Sequence, residues 1–401
     1  MIQRTIEKHI SSLMNEYFSV SIFGPRQCGK TTLAKTLFPS FSYANLEDMN
    51  VRSLAKNDPE EFFTRFPEPV IIDEIQRVPE LLSTVQVRID KNQKKGQYLI
   101  TGSQQISLKS SISQSLAGRT AIVQMLPLSI SELYSANIKL DRDSQLVSGF
   151  MPFLYAESGH SPFEYYKNYV NTYLERDIVQ IVAVHDVIRF EKFMRLLAGR
   201  VGQLVNNSAL ATEVGVSSTT IGSWLSILEA SHVIYTLKPW FKNRNSQVVK
   251  TPKIYFCDTG LVSYLLGIET PEQMIRDPLL GNIFENFVVI EALKTRLNLG
   301  LEPNLYFFRN SNGLEIDLIL QEQNKLKLFE IKSGKSLNDE FCRNMKNFSA
   351  KYNEDIVSDS TKGTVIYSGE TYESYKDFGF YNFSNIPQLF ESKTSTFRLN
   401  F

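Results

Sequence analysis

The chain has few cysteines, no excess of either charge and no long apolar run. Its three cysteines, Cys28, Cys257 and Cys342, stand far apart, which argues against a zinc site or a disulfide framework and for a reducing compartment. Basic and acidic residues number 43 each, so no global field favours nucleic acid and any DNA contact must come from a local basic face. Without an apolar run of membrane-spanning length or a signal-peptide core, we predict a cytoplasmic protein with no membrane contact.

The remaining composition is that of an ordinary globular protein. Hydrophobic residues make up 42% of the chain and charged residues 21%, which is typical of a folded domain with a sizeable core. A length of 401 residues suffices for two or three domains.

Residues 24–32 read GPRQCGKTT and form a complete G-x-x-x-x-G-K-[ST] loop. An apolar run at 20–23 predicts a strand before the loop, and the sequence from 32 onward predicts a helix. Two glycines allow the backbone to curl until several N–H groups point inward, and the helix start adds its positive dipole end. The loop is therefore predicted to hold the phosphates of ATP. Its residues are Gly24, Pro25, Arg26, Gln27, Cys28, Gly29, Lys30, Thr31 and Thr32.

A second motif supports the first. Within the loop, Lys30 is predicted to reach the β- and γ-phosphates, and the Thr31 hydroxyl to bind Mg²⁺. Residues 70–74 read VIIDE, a continuous apolar run typical of a parallel strand buried on both faces. Ligands bind at the carboxyl edge of such strands. We therefore predict that Asp73 holds Mg²⁺, directly or through water, and that Glu74 polarises the attacking water.

A third strand is predicted at 97–103 and ends in small polar residues. In an ATPase of this kind the tip of that strand faces the γ-phosphate, so Ser103 or Gln104 is predicted to sense it. A helix to 117 and a strand at 119–126 complete the domain. The alternation of strands and helices indicates an α/β fold with a mostly parallel sheet.

The phosphate loop, the IIDE strand end, the ITGS strand and the LAGR segment resemble those of AAA-type ATPases of bacteria and archaea. More narrowly, they resemble the family that joins such a core to a C-terminal domain of unknown function called DUF4143, predicted here at roughly 174–335. The resemblance implies ATP and Mg²⁺ as cofactors and ATP hydrolysis as the reaction. It also implies that Arg119 supplies an arginine finger to a neighbouring subunit of a homo-oligomer. The alternative is a structural arginine paired with a carboxylate.

Residues 207–228 predict a helix-turn-helix, with Gly215 at the turn and Ser217 as the N-cap of the second helix. A hairpin wing is predicted at 238–256. The second helix exposes serine and threonine without arginine or lysine, so the basic wing suits phosphate contacts better than base reading. The basic wing positions are Lys238, Lys242, Arg244, Lys250 and Lys253. DNA is the predicted partner, and a protein partner is the alternative.

Two segments near the C-terminus, 315–320 and 327–332, alternate charged and apolar residues as half-buried strands do. A tight turn at 323–324 would place Asp317 opposite Glu330 and Glu315 opposite Lys332, on one face of a hairpin. The alternative for such a pattern is a solvated outer face with cross-strand salt pairs.

The arrangement Asp…Glu-x-Lys resembles the core of PD-(D/E)xK nucleases, in which Asp and Glu hold a divalent metal and Lys orients a water or stabilises charge. The resemblance implies a metal site formed by Asp317 and Glu330, with Glu285 from a preceding helix and with Lys332 beside the metal. Whether this site cleaves DNA stays open.

Together these patterns predict three parts. Residues 1–140 form an AAA-type P-loop NTPase core, residues 141–256 a helical and winged-helix domain, and residues 257–401 a nuclease-like α/β domain. ATP hydrolysis is predicted to control how the last two parts contact DNA. The alternative function is a nucleotide-dependent protein-interaction switch or scaffold whose nuclease-like domain is catalytically silent.

Overall fold

A computed structural model describes residues 2–103, 115–172, 187–241, 250–323, 325–352 and 362–391. Three predicted positions, Gln104, Lys242 and Arg244, lie outside the described residues. None of the described helices is long and apolar enough to cross a membrane.

The N-terminal region forms a parallel sheet covered by helices. Its strands are β1 (Ser19–Phe23), β2 (Ser42–Asn45), β3 (Val70–Asp73), β4 (Tyr98–Gly102) and β5 (Thr120–Gln124). Its helices are α1 (Glu7–Glu16), α2 (Lys30–Leu37), α3 (Met49–Asn57), α4 (Pro59–Arg65) and α5 (Leu81–Asn92). Separate apolar clusters cover the two faces of the sheet, which explains why β1, β3 and β4 are buried along their whole length and show no alternation.

The strand order of this sheet is β2-β3-β4-β1-β5. Strand β4 therefore lies between β1, which leads into the phosphate loop, and β3, which ends in Asp73. Because all these strands are parallel, their carboxyl ends meet at one edge of the sheet. The predicted α/β fold with a mostly parallel P-loop core is confirmed.

The second region is mostly helical. Its helices are α6 (Ile130–Ser135), α7 (Arg142–Ser148), α8 (Pro162–Tyr169), α9 (Val187–Ala198), α10 (Asn207–Val214) and α11 (Ser218–Ala230). Gly215, in the left-handed region at a φ of 85°, ends α10. The Ser217 side chain accepts a hydrogen bond of 3.0 Å from the Thr220 backbone and caps α11. The two helices lie where the sequence predicts them.

The C-terminal region contains a second sheet. Its strands are β6 (Ile234–Pro239), β7 (Lys253–Phe256), β8 (Leu305–Arg309), β9 (Glu315–Glu322), β10 (Lys325–Lys332), β11 (Thr364–Tyr367), β12 (Tyr372–Tyr375) and β13 (Phe378–Asn382). Its helices are α12 (Thr259–Leu266), α13 (Pro271–Arg276), α14 (Leu280–Asn298), α15 (Arg343–Tyr352) and α16 (Ile386–Phe390). The strand order is β12-β13-β11-β10-β9-β8-β6-β7.

The β6–β7 hairpin, predicted as a wing, is built into the edge of this second sheet. Strand β6 pairs in parallel with β8 through Lys238↔Tyr306 and Pro239↔Phe307. One apolar cluster extends from Leu126 to Phe390 and so joins the helical region to the C-terminal sheet. The prediction that Lys253 is a phosphate contact of the wing is wrong, because its side chain is only 3% exposed and ion-paired.

The β9–β10 hairpin has the predicted register. Its paired residues run from Lys325↔Glu322 to Phe329↔Leu318, so the next facing positions are Asp317 and Glu330. The Ile331 backbone N–H donates a hydrogen bond of 2.9 Å to Asp317 Oδ2, which fixes that carboxylate against β10.

Candidate nucleotide-binding site and C-terminal charge cluster

The phosphate loop lies between β1 and α2, as predicted. A side chain at Gly24 would bring its Cβ within 1.9 Å of the Met125 carbonyl oxygen, so only glycine fits between the loop and the end of β5. Gly29 adopts a left-handed φ of 97° at the start of α2. These two constraints give the loop its curled path.

Arg4 anchors the loop from the segment before α1. Its guanidinium is buried and donates hydrogen bonds of 2.8 Å to the Cys28 carbonyl and 2.7 Å to the Leu126 carbonyl. It also forms an ion pair of 3.1 Å with Glu132. Sequence reasoning missed Arg4, because a single arginine outside the motif carries no signal of its long-range contacts.

Lys30 bonds within the loop, and Thr31 bonds to the second motif. The Lys30 ammonium is buried and donates to the carbonyl oxygens of Gly24 and Pro25, at 2.9 and 2.8 Å. The Thr31 hydroxyl donates a hydrogen bond of 2.9 Å to Asp73 Oδ2. Threonine and carboxylate oxygens are ligands that Mg²⁺ accepts, so the pair from two separate motifs fits a nucleotide-bound magnesium.

Asp73 and Glu74 have different surroundings. Asp73 is buried and accepts hydrogen bonds from the Tyr43 hydroxyl at 2.7 Å and from the Thr101 hydroxyl. Glu74 lies in the left-handed region at a φ of 59°, which turns its side chain away from the strand. The Asp73 carboxylate is therefore fixed at the edge of the sheet, whereas the Glu74 carboxylate lies beyond the end of β3.

The Glu74 carboxylate has two polar neighbours. The Ser103 hydroxyl donates to Glu74 Oε2 at 3.3 Å, and the Gln76 amide donates to the same oxygen and to Ser103 Oγ, the latter at 2.9 Å. The structure thus brings Ser103 to the side chain that we expect to polarise water. Gln76 was not predicted, since no motif reaches two residues beyond Glu74.

Arg26 and Gln27 extend the loop toward other elements. Arg26 Nη2 lies 3.3 Å from Glu47 Oε1. Gln27 is exposed, and its side-chain oxygen accepts a hydrogen bond of 2.6 Å from the Tyr165 hydroxyl on α8. The phosphate loop therefore contacts the second region directly.

Arg119 lies at the opposite edge of the first sheet. It precedes β5, whereas the phosphate loop follows β1, and these two strands are parallel. Its guanidinium pairs with Asp90 through contacts of 2.7 and 2.9 Å. Within one chain this is the structural pairing given above as the alternative. An arginine-finger role at a neighbouring subunit stays a prediction.

A cavity of about 740 Å³ adjoins the loop. Residues of the loop and Glu74 line it together with apolar and aromatic side chains, among them Phe153, which is 51% exposed. The apolar lining includes Ile2, Leu128, Pro152, Phe153 and Tyr155. The volume lies within the range of roughly 300–1,000 Å³ that is usual for ligand sites. The loop residues in its lining suit phosphates, and the aromatic side chains suit a base.

The charged residues of the second predicted site lie close together. Lys332 Nζ lies 2.7 Å from Glu330 Oε1 and 3.8 Å from Asp317 Oδ2. Burial, reinforced by the Asp317 charge, raises the pKa of Glu330 to about 8. Glu285 joins them from α14 but bonds to Lys253 at 2.9 Å. Among the described residues, no group of three or more His, Cys, Asp and Glu side chains is placed to hold a metal ion.

Family comparisons divide the chain into three matched segments. An AAA domain matches residues 17–134, and domains of unknown function called DUF8612 and DUF4143 match 140–272 and 280–389. The uncharacterized proteins Rv2008c of Mycobacterium tuberculosis and Mb2031c of Mycobacterium bovis are each 33% identical over 315 residues, or 78% of this chain and 70% of theirs. The chain belongs to the family of AAA-domain proteins with a C-terminal DUF4143 domain. The DUF4143 match begins at 280, whereas the resemblance placed this domain at roughly 174–335.

The similarity to solved structures is weaker than the similarity to these relatives. The Walker-type ATPase PABY2304 of Pyrococcus abyssi is 13% identical, with a TM-score of 0.40 over 66% of this chain and 96% of its own. AMPPCP-bound DnaA from Aquifex aeolicus is 16% identical, with a TM-score of 0.29 over 56% of this chain and 85% of its own.

Proposed function

We propose that this AAA-domain protein binds ATP with Mg²⁺ at the phosphate loop and hydrolyses it. The observation that carries the proposal is the meeting of Thr31 and Asp73, from two separate motifs, beside the buried Lys30 ammonium. The backbone N–H groups of residues 24–32 hold the phosphates, and Lys30 exchanges neutral carbonyl partners for phosphate oxygens. Thr31 and Asp73 hold the Mg²⁺, which supplies charge neutralisation on the phosphates.

Glu74 is the residue that we assign to the attacking water. Its carboxylate must accept a proton or a hydrogen bond from that water. Ser103 and Gln76 both donate to Glu74 Oε2, so we assign the water to the other carboxylate oxygen, Oε1. Ser103 is well placed to respond to the γ-phosphate, because it lies at the end of the strand between the two motifs.

The nucleotide state has a direct route to the second region. Gln27 of the loop bonds to Tyr165, and the segment 152–156 lines the same cavity as Lys30. We propose that filling and emptying this cavity changes how the AAA domain sits against the helices that follow, and so regulates contact with DNA through the predicted basic wing. A homo-oligomer in which Arg119 leaves Asp90 to reach a neighbour's nucleotide is part of the same proposal.

A nucleotide-dependent protein-interaction switch is the second candidate. The exposed face of α11 carries Ser217, Thr219 and Ser223, and no residue from 218 to 230 is lysine or arginine. The burial of Lys253 removes one cation from the predicted wing. Both observations favour a protein partner over a phosphate backbone at this surface.

ATPase assays on Lys30→Ala test the first proposal. Removing the Lys30 ammonium should abolish tight ATP binding and turnover, because the other cation of the loop, Arg26, is paired with Glu47. Lys56→Ala, at an exposed position of α3, is the matched control and should retain both. A wild-type hydrolysis rate in Lys30→Ala contradicts the proposal.

A salt titration separates DNA from a protein partner. If the wing contacts phosphates, Lys242→Gln with Arg244→Gln should weaken DNA binding and reduce the dependence of log K on log salt by about two units. An unchanged slope favours the protein-interaction switch.

A further inference from the structure

The charge cluster of the C-terminal region contains a lysine that the nuclease resemblance does not include. Lys253, on the edge strand β7, is 2% exposed. Its ammonium lies 2.9 Å from Glu285 Oε1 and 2.8 Å from Glu315 Oε1. It therefore bridges a carboxylate of α14 and a carboxylate of β9.

The backbone holds this ammonium in place. Lys253 pairs with Leu237 of β6 on one side and forms an isolated bridge with Leu204 on the other. Tyr255, two residues along the same strand and on the same face, donates a 2.6 Å hydrogen bond to Glu285 Oε1. The donors to Glu285 thus come from a paired strand in the interior, and not from a loop that can swing away.

The carboxylates of the cluster are shared between two lysines. Lys253 pairs with Glu285 and Glu315, while Lys332 pairs with Glu330 and lies 3.8 Å from Asp317. A hard divalent cation would need oxygens of the same carboxylates at about 2.0–2.6 Å. Because the Lys253 ammonium lies within hydrogen-bond distance of two of them, metal and ammonium compete for one position.

We propose that the Lys253 ammonium is the resident cation of this cluster, in place of the divalent metal that the nuclease resemblance implies. The C-terminal domain then binds no divalent metal there and performs no metal-dependent cleavage of nucleic acid. The residues that supply the donors, Lys253 and Tyr255, belong to the segment matched by DUF8612, and the carboxylates belong to the segment matched by DUF4143. The ion pairs of Lys253 therefore connect the segment matched by DUF8612 to the segment matched by DUF4143.

A titration with Mn²⁺ alone tests this inference in the full chain, because β6 and β7 complete the sheet and a C-terminal fragment would lack them. The background variant Asp73→Asn removes a carboxylate of the nucleotide site, so that the calorimeter reports the charge cluster. We expect no saturable binding in this background and a saturable Mn²⁺ site once Lys253→Met is added. Lys238→Met, at an exposed position of the neighbouring strand β6, is the matched control and should create no site.

Unpaired carboxylates can prevent Lys253→Met from folding. The double substitution Lys253→Met with Glu315→Gln then makes the same test, since it removes one buried charge and leaves Glu285, Asp317 and Glu330 as ligands. The inference is overturned if the Asp73→Asn background binds Mn²⁺ saturably and if Glu285→Gln abolishes that binding. A folded Lys253 variant that binds no Mn²⁺ also overturns it. Neither outcome depends on ATP hydrolysis, which is measured separately in the wild type.

Discussion

The Tyr165 hydroxyl donates a hydrogen bond of 2.6 Å to the side-chain oxygen of Gln27. Gln27 is a non-glycine residue in the left-handed region, at a φ of 61°, so its backbone conformation is held by its surroundings. In the proposed function, the phosphates of ATP contact the backbone N–H groups that flank Gln27. The hydrogen bond links this part of the loop with helix α8 of the second region.

Tyr165→Phe should break the coupling between the phosphate loop and α8 while ATP still binds. Loss of one hydrogen bond should change ATP affinity by less than about tenfold, while an ATP analogue should no longer slow hydrogen exchange in α8. Hydrogen-exchange mass spectrometry with and without the analogue measures this. Tyr372→Phe, on the exposed strand β12, is the control. Retained protection of α8 in Tyr165→Phe would show that the signal takes another path.

Glu74→Gln should separate binding from hydrolysis. The amide keeps the size of the side chain but cannot accept a proton, so we expect turnover to fall by about 10²- to 10⁴-fold. ATP should stay bound, because Lys30, Thr31 and Asp73 are untouched. Rates from phosphate release and affinities from a fluorescent ATP analogue give the two quantities. Equal loss of affinity in Glu74→Gln and Lys30→Ala contradicts this division of roles.

Phe153→Ala should weaken binding of ATP but not of inorganic tripolyphosphate. Phe153 lines the cavity, is 51% exposed and stacks on Tyr165 with ring centroids 5.4 Å apart. Loss of base stacking costs about 1–3 kcal/mol, whereas the phosphates are expected at the loop. Competition binding with the two ligands measures the difference. Phe241→Ala, an exposed aromatic outside the cavity lining, should affect neither. An equal loss of affinity for tripolyphosphate would show that the base does not stack on Phe153.

His232 should make stability fall in acid. Its imidazole is buried and lies 2.8 Å from the Gln124 amide nitrogen, and no group in the described part of the chain bonds to its Nε2. Burial, with the nearby Lys30 charge, lowers the pKa of His232 from 6.5 to about 4. Between pH 6.5 and pH 4, His232 is protonated in the unfolded chain but stays neutral in the folded chain. The unfolding free energy therefore decreases by up to about 3 kcal/mol as the pH falls through this range.

The comparison of wild type with His232→Gln isolates this contribution. Urea unfolding at pH 6.5 and pH 4 should show a smaller loss of stability in the variant, because glutamine does not titrate. His160→Gln, at a partly exposed position, is the control and should keep the wild-type dependence. Identical acid sensitivity in His232→Gln and wild type would assign the loss to other groups.

Much of the nucleotide site could be predicted from the sequence, because its parts are local. The spacing of Gly24 and Gly29 constrains a few consecutive backbone angles, and the run that ends at Asp73 and Glu74 marks a strand and its carboxyl end. The β9–β10 register followed for the same reason, since alternation along two adjacent segments and a short turn leave one pairing that buries the apolar face.

Sequence by itself therefore determined the elements, the phosphate loop and the residues that end its neighbouring strand. The tertiary structure alone decided that β4 lies between β1 and β3, that Arg4 holds the loop, and that β6 and β7 complete the C-terminal sheet. It also decided that Lys253 is an interior cation, although its basic neighbours in the sequence indicate a solvated wing. The physical reason is that the free energy of a charge depends on its partners and burial, and these come from segments far apart in the chain.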